Sequence, residues 1–133
     1  MQLNISTDYA LRIVVYLTKS GNVVSSSKLA MELGISQRYL LQVSSRLRDA
    51  GILVVSYGPN GGLKIAKNPD EISLYDIIMI MQGPSESKPH PFRGTSANHS
   101  LTCVDTILHR VEEHLHQYLS QITLDCVLKE DRA

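Results

Sequence analysis

No apolar run in the 133 residues comes near the roughly 20 needed to cross a bilayer, and the longest, around Ile77 to Met81, is far shorter. The start, Met1-Gln2-Leu3-Asn4, has no basic segment leading into an apolar one, so no secretory signal is expected. A cytoplasmic protein without membrane contact is the expectation. Cysteine is scarce: Cys103 and Cys126 lie 23 positions apart with no C-x-x-C motif, which in a reducing compartment predicts two free thiols. No nucleophile–base pairing, carboxylate pair or metal motif stands out, so nothing supports an enzyme. The glycine-rich stretch at 58–62 is followed by neither Lys-Ser/Thr nor a helix start, which excludes a phosphate cradle. No internal repeat is visible.

What is present is ordinary for a globular protein, with 43% hydrophobic and 20% charged residues. The length suffices for one domain with its own core, or a small domain plus a docking element. The net charge of zero conceals an asymmetry. Residues 1–68 carry eight basic residues against three acidic, a balance of +5, and residues 69–133 carry five against ten, a balance of −5. A basic half of this kind suits phosphate, whereas the acidic half does not.

The periodicity predicts a helix over 7–19, capped by Ser6 or Thr7, with Ala10, Ile13, Val14 and Leu17 on its apolar stripe. A short helix over 27–33 follows Ser25-Ser26-Ser27 and is stopped by Gly34. Ser36 caps a third helix that runs to about residue 50, with Leu40, Val43, Ser44 and Leu47 on its inner face. Residues 53–57 read as a strand, 58–62 as a turn and 63–66 as the return strand. Ser73 caps a helix to residue 81, with Leu74, Ile77, Ile78 and Met81 as its stripe.

Residues 82–100 hold three prolines, two glycines and four serines, which predicts a long mobile loop. Beyond it, Leu101, Val104, Leu108, Val111, Leu115, Tyr118 and Ile122 are spaced alternately by three and four. That is the a/d repeat of a helix lying lengthwise against a partner helix, and these seven residues are the expected dimer interface.

Helix, short turn, helix and glycine-rich hairpin is the order of a winged helix-turn-helix. The third helix has the diameter to enter a major groove, with its first residues meeting base edges. The expected base contacts are Ser36, Gln37, Arg38, Tyr39, Leu41 and Gln42. Arg pairs with guanine and Gln with adenine through two hydrogen bonds each, and Leu41 can meet a thymine methyl. Lys28, Ser45, Arg46, Arg48, Tyr57, Asn60, Gly61 and Lys64 are expected to touch phosphates or to act from the wing.

Several segments together resemble one family. Ile35-Ser36-x-x-Tyr39-Leu40-x-Gln42, Ser45-Arg46-Leu47-Arg48-x-x-Gly51, Gly58-x-x-Gly61-Gly62 and Ile72-Ser73-Leu74-x-Asp76-Ile77-Ile78 are similar to the Rrf2 family of bacterial transcription regulators. Ser6-Thr7-Asp8-Tyr9-Ala10-Leu11-Arg12 and Ile122-Thr123-Leu124 fit as well. The resemblance implies DNA binding and a dimer formed through the long C-terminal helix. Two departures stand out: Leu41 replaces a frequent Glu, and Tyr57 replaces an Arg that reaches into the minor groove.

Cluster-binding members of that family carry three cysteines in the loop and at the start of the long helix. Here only Cys103 matches, too few thiolates for an iron–sulfur cluster, so no cofactor is expected. His90, His99 and Cys103, with His109, are the candidate sensor of a metal or redox signal. Their irregular spacing favours solvated histidines beside a half-buried thiol. His109, His114 and His116, near Glu112 and Glu113, read as a solvated helix surface. Cys126 is expected to pack in the terminal segment.

The expectation is therefore a mostly α protein: a winged helix-turn-helix with a two-stranded wing and a long C-terminal dimerisation helix. Residues 1–68 form the DNA-binding domain, 69–82 a connecting helix, 83–100 the mobile loop with a possible sensor, and 101–133 the dimerisation helix and C-terminal segment. The expected function is a sequence-specific regulator that binds a palindromic operator in double-stranded DNA as a homodimer. It is expected to repress in response to a redox, metal or small-molecule signal. A winged-helix protein-interaction module that has lost DNA binding is the alternative, motivated by Leu41 and Tyr57.

Overall fold

The computed structural model describes residues 4–82 and 102–132. The expected loop at 83–100, with His90 and His99, and the first dimer residue, Leu101, lie outside the described residues.

The first helix, α1 (Ile5–Ser20), turns Ala10, Ile13, Val14 and Leu17 onto one buried stripe. Its N-cap is Asn4 rather than Ser6 or Thr7. The Asn4 Oδ1 accepts from the Thr7 backbone N–H at 2.8 Å and from the Ser6 and Thr7 hydroxyls at 2.9 and 2.7 Å. Thr7 thus donates to the cap instead of being it, and with its hydroxyl satisfied it can be buried.

Two shorter helices follow, α2 (Ser26–Leu33) and α3 (Gln37–Asp49). Leu29 and Ala30 of α2 and Leu40, Val43 and Leu47 of α3 join the α1 stripe in one core. The strands β1 (Leu53–Ser56) and β2 (Gly62–Ile65) are antiparallel, pairing Leu53 with Ile65, Val54 with Lys64, Val55 with Leu63 and Ser56 with Gly62. Both differ by a residue from the expected strands: Tyr57 belongs to the turn, and Gly62 to the ladder. Val24 lies along β2 as well, exchanging two backbone bonds with Leu63 at 2.9 and 2.8 Å. This contact explains Gly62, where a Cβ would stand 2.2 Å from the Val24 carbonyl oxygen.

A single 3₁₀ turn (Pro69–Glu71) leads to α4 (Leu74–Gln82). Its start is a reciprocal cap, in which the Asp76 N–H donates to Ser73 Oγ at 3.1 Å and the Ser73 N–H to Asp76 Oδ2 at 3.0 Å. Ile77, Ile78 and Met81 are buried as expected, and Leu74 is half-buried.

The C-terminal region is two helices, α5 (Thr102–Gln121) and α6 (Leu124–Arg132). The break falls at Ile122, where the spacing had continued the helical repeat. Its carbonyl accepts from the Leu74 N–H at 2.8 Å, and the Leu124 N–H donates to the Ile72 carbonyl at 2.9 Å. These bonds bridge Ser73 and Thr123 in antiparallel fashion and drive Leu124 into the core. Consequently α6 lies on α1 and the 3₁₀ turn, while α5 packs on α4, where Tyr75 meets His116 with ring centres 5.1 Å apart. Among the described residues no helix is long and apolar enough to cross a membrane.

Candidate nucleic-acid interface

The helix-turn-helix is assembled from three local devices. Ser25 caps α2 by accepting from the Lys28 N–H at 3.2 Å. Gly34, at φ 68°, reverses the chain, and the Ile35 N–H closes the turn on the Ala30 carbonyl at 3.0 Å. Ser36 then caps α3 by accepting from the Tyr39 N–H at 3.1 Å. A side-chain bond from Gln37 Nε2 to Ser26 Oγ, 2.8 Å long, pins the start of α3 to the start of α2.

Burial of Leu40, Val43, Ser44 and Leu47 fixes the rotation of α3. Arg38, Leu41 and Gln42 are consequently exposed on its first turns, with Ser45 half-buried beyond them and Arg48 exposed at the far end. Ser36 and Gln37 are exposed too, but each already serves the turn through its bond. Tyr39 is half-buried, its ring edge-on to Tyr9 with centres 5.8 Å apart, so this side chain braces α3 on α1. The Ser44 hydroxyl is buried without a hydrogen-bond partner.

The wing faces α3 across a cleft of about 570 Å³ whose lining includes Ser26, Leu41, Ser45, Arg48, Val55 and Tyr57. Tyr57 is 86% exposed at the wing turn and Leu41 is 48% exposed on the helix. Gly58, at φ 106°, and the Gly61 N–H, donating to the Gly58 carbonyl at 3.0 Å, shape the tip beside exposed Asn60. Lys64 is exposed next to buried Leu63, so it stands on the outer face of the wing, away from the cleft. Lys28 is exposed on α2, and Arg48 lies 3.3 Å from Asp49. Arg46 is the exception among the basic residues of α3: its Nη1 donates to the Met81 carbonyl of α4 at 2.9 Å.

Along α5, Val104, Ile107, Leu108, Val111 and Tyr118 are 49–63% exposed, with Leu115 half-buried and only Leu119 buried. Ile122 lies past the helix end and is half-buried at the bridge to α4. The spacing had not singled out Ile107, which extends the apolar face.

Cys103 is exposed in the first turn of α5, not half-buried. Among the described residues no group of three or more His, Cys, Asp or Glu is placed to hold a metal. Cys126 is exposed rather than packed, because it falls on the outer side of α6 while Leu124 turns inward. Hydrogen bonding from the Thr123 hydroxyl, 3.3 Å from Sγ, holds this thiol below its ordinary value, with a Thr123 backbone bond second.

Two helices joined by a left-handed glycine, the second presenting a polar face beside a two-stranded hairpin, define a DNA-binding winged helix-turn-helix. Residues 3–130 match the Rrf2 family, described as an iron-dependent transcriptional regulator. The chain belongs to this family of DNA-binding transcription regulators. It is 32% identical to the HTH-type transcriptional regulator NsrR of Shouchella clausii, over 98% of this chain and 91% of that protein. Its fold is similar to that of T. potens IscR, with a TM-score of 0.80, 25% identity and coverage of 98% of this chain and 88% of the other. CymR, the global cysteine regulator of B. subtilis, superimposes with a TM-score of 0.80 at 24% identity, over 98% of each chain.

Proposed function

We propose that this regulator binds a roughly palindromic operator as a homodimer and represses transcription in response to a redox, metal or small-molecule signal. The observation that carries the reading is the exposed Arg38–Leu41–Gln42 face of a helix whose opposite face is locked in the core. Two such helices would enter successive major grooves about one helical turn apart. Arg38 and Gln42 offer hydrogen bonds to base edges, and Leu41 offers an apolar surface to a thymine methyl. Lys28, Ser45 and Arg48 flank that face as phosphate partners, and Tyr57 and Asn60 act from the wing.

The dimer reading is supported by the apolar face of α5. Exposed aliphatic residues spaced alternately by three and four are what a single chain shows when a helical seam lacks its partner. Members of a two-fold dimer would read two half-sites in opposite directions, hence the palindrome.

A gel-shift titration against promoter fragments, the gene's own included, at several salt concentrations tests this. Affinity should fall steeply with salt, by about 0.9 logarithmic units per phosphate neutralised for each tenfold rise. Absent or salt-insensitive binding on every fragment contradicts the reading. Repression predicts that deleting the gene raises transcription from the bound promoter.

Leu41 and Tyr57, both exposed at the cleft, favour a second reading, in which the winged helix docks a protein. Replacing Arg38 and Gln42 by Ala would then leave function intact.

A further inference from the structure

We infer that Arg46 is a positioning residue, which braces the DNA-reading helix against the end of α4 instead of gripping a phosphate. The inference rests on the reading of α3 as the DNA-reading helix.

Met81 lies in the last turn of α4, where backbone carbonyls have no partner within the helix and the dipole leaves negative charge. That turn contains no basic residue of its own. Arg46 supplies the missing cation from another helix, its Nη1 2.9 Å from the Met81 carbonyl oxygen and 35 positions earlier in the chain. A charge-assisted bond to a carbonyl holds a planar guanidinium in one orientation. The same flank of α3 carries Tyr39 and Gln42, which with Ser6, Val43 and Met81 line a hollow of about 230 Å³ beside the bond. Gln42 is a base-reading residue of the proposed function. Its helix is therefore tied to α4 by Arg46, as it is tied to α1 by the Tyr39–Tyr9 contact. Because α4 also packs on α5, the brace is the polar link in a line running from the C-terminal helix to the reading face.

The test measures DNA affinity across a salt series, with thermal unfolding, for the full chain and for Arg46→Ala and Arg46→Lys. A brace predicts about tenfold weaker binding in Arg46→Ala with an unchanged salt slope. Arg46→Lys, whose ammonium can reach the same carbonyl, should recover most of the affinity. If Arg46→Ala instead flattens the slope by about 0.9 for each bound protomer, Arg46 is a phosphate ligand and the inference fails. It fails also if only the melting temperature falls while the folded protein keeps its affinity and slope. Hydrogen exchange on the DNA-free chain separates this inference from its parent. If no DNA binds the wild type, faster exchange in both α3 and the last turn of α4 of Arg46→Ala still upholds the brace. Unchanged exchange there overturns it.

Discussion

Arg38 and Gln42 face outward because Leu40, Val43 and Leu47 cannot. A specificity residue is in this sense produced by its apolar neighbours. Replacing Arg38 by Ala should leave folding intact and remove discrimination at one base pair, a loss of about 1–3 kcal/mol against the preferred base in a competition assay. Gly62→Ala acts on stability instead. The new Cβ would meet the backbone of Val24, which no rotamer change relieves, and unfolding should show a loss of about 1–3 kcal/mol. Cys126 offers a third residue-level prediction. Its lowered pKa makes the thiolate, the reacting species, available at lower pH. Alkylation followed against pH should therefore begin below the range of an ordinary thiol, and Thr123→Val should move the profile upward. Local devices of this size were partly legible in the sequence. Gly34 and Ser36 act on neighbours one to five positions away, so composition and order announce them. Asn4 was missed because Ser6 and Thr7 are equally good caps on paper, and only the backbone geometry shows that they donate to Asn4. The Arg46–Met81 bond joins residues 35 positions apart and leaves no local trace.

At the level of elements, α1 to α3 and the hairpin follow from periodicity, because each buries one continuous stripe in a shared core. The C-terminal region was less readable. The alternation of threes and fours runs through Ile122, yet the helix stops at Gln121. Bonding of the 122–124 segment to Ile72 and Leu74 outweighs continuation of the helix, and such a pairing is invisible to a local pattern. Leu124 fixes this arrangement as a fully buried anchor. Leu124→Ala should cost about 2–5 kcal/mol in chemical unfolding, loosening α6 from α1. The face of α5 makes the complementary prediction. Val111→Glu places a charge in the middle of the proposed seam while disturbing no contact with α4, since Val111 is exposed in the single chain. Sedimentation should then report a monomer of unchanged helix content, with operator affinity reduced at least tenfold through loss of the second half-site.

Across the whole molecule, charge and shape divide the labour. The excess of basic residues lies in residues 1–68, which build α1 to α3 and the wing, and the acidic excess lies in residues 69–133. An acidic half is repelled by a duplex and a basic half is drawn to it, so the overall field orients the chain with α3 and the cleft toward DNA. This asymmetry could be read from the sequence directly. Which base each side chain meets could not, because that depends on how two copies sit across the two-fold axis. Selection of binding sequences from a random DNA pool by the purified full-length chain tests the central claim most directly. The account predicts enrichment of an inverted repeat whose half-sites are centred about one helical turn apart, about 10 base pairs or a multiple of it. A pool with no enriched sequence, or one enriched in a site lacking two-fold symmetry, would contradict it.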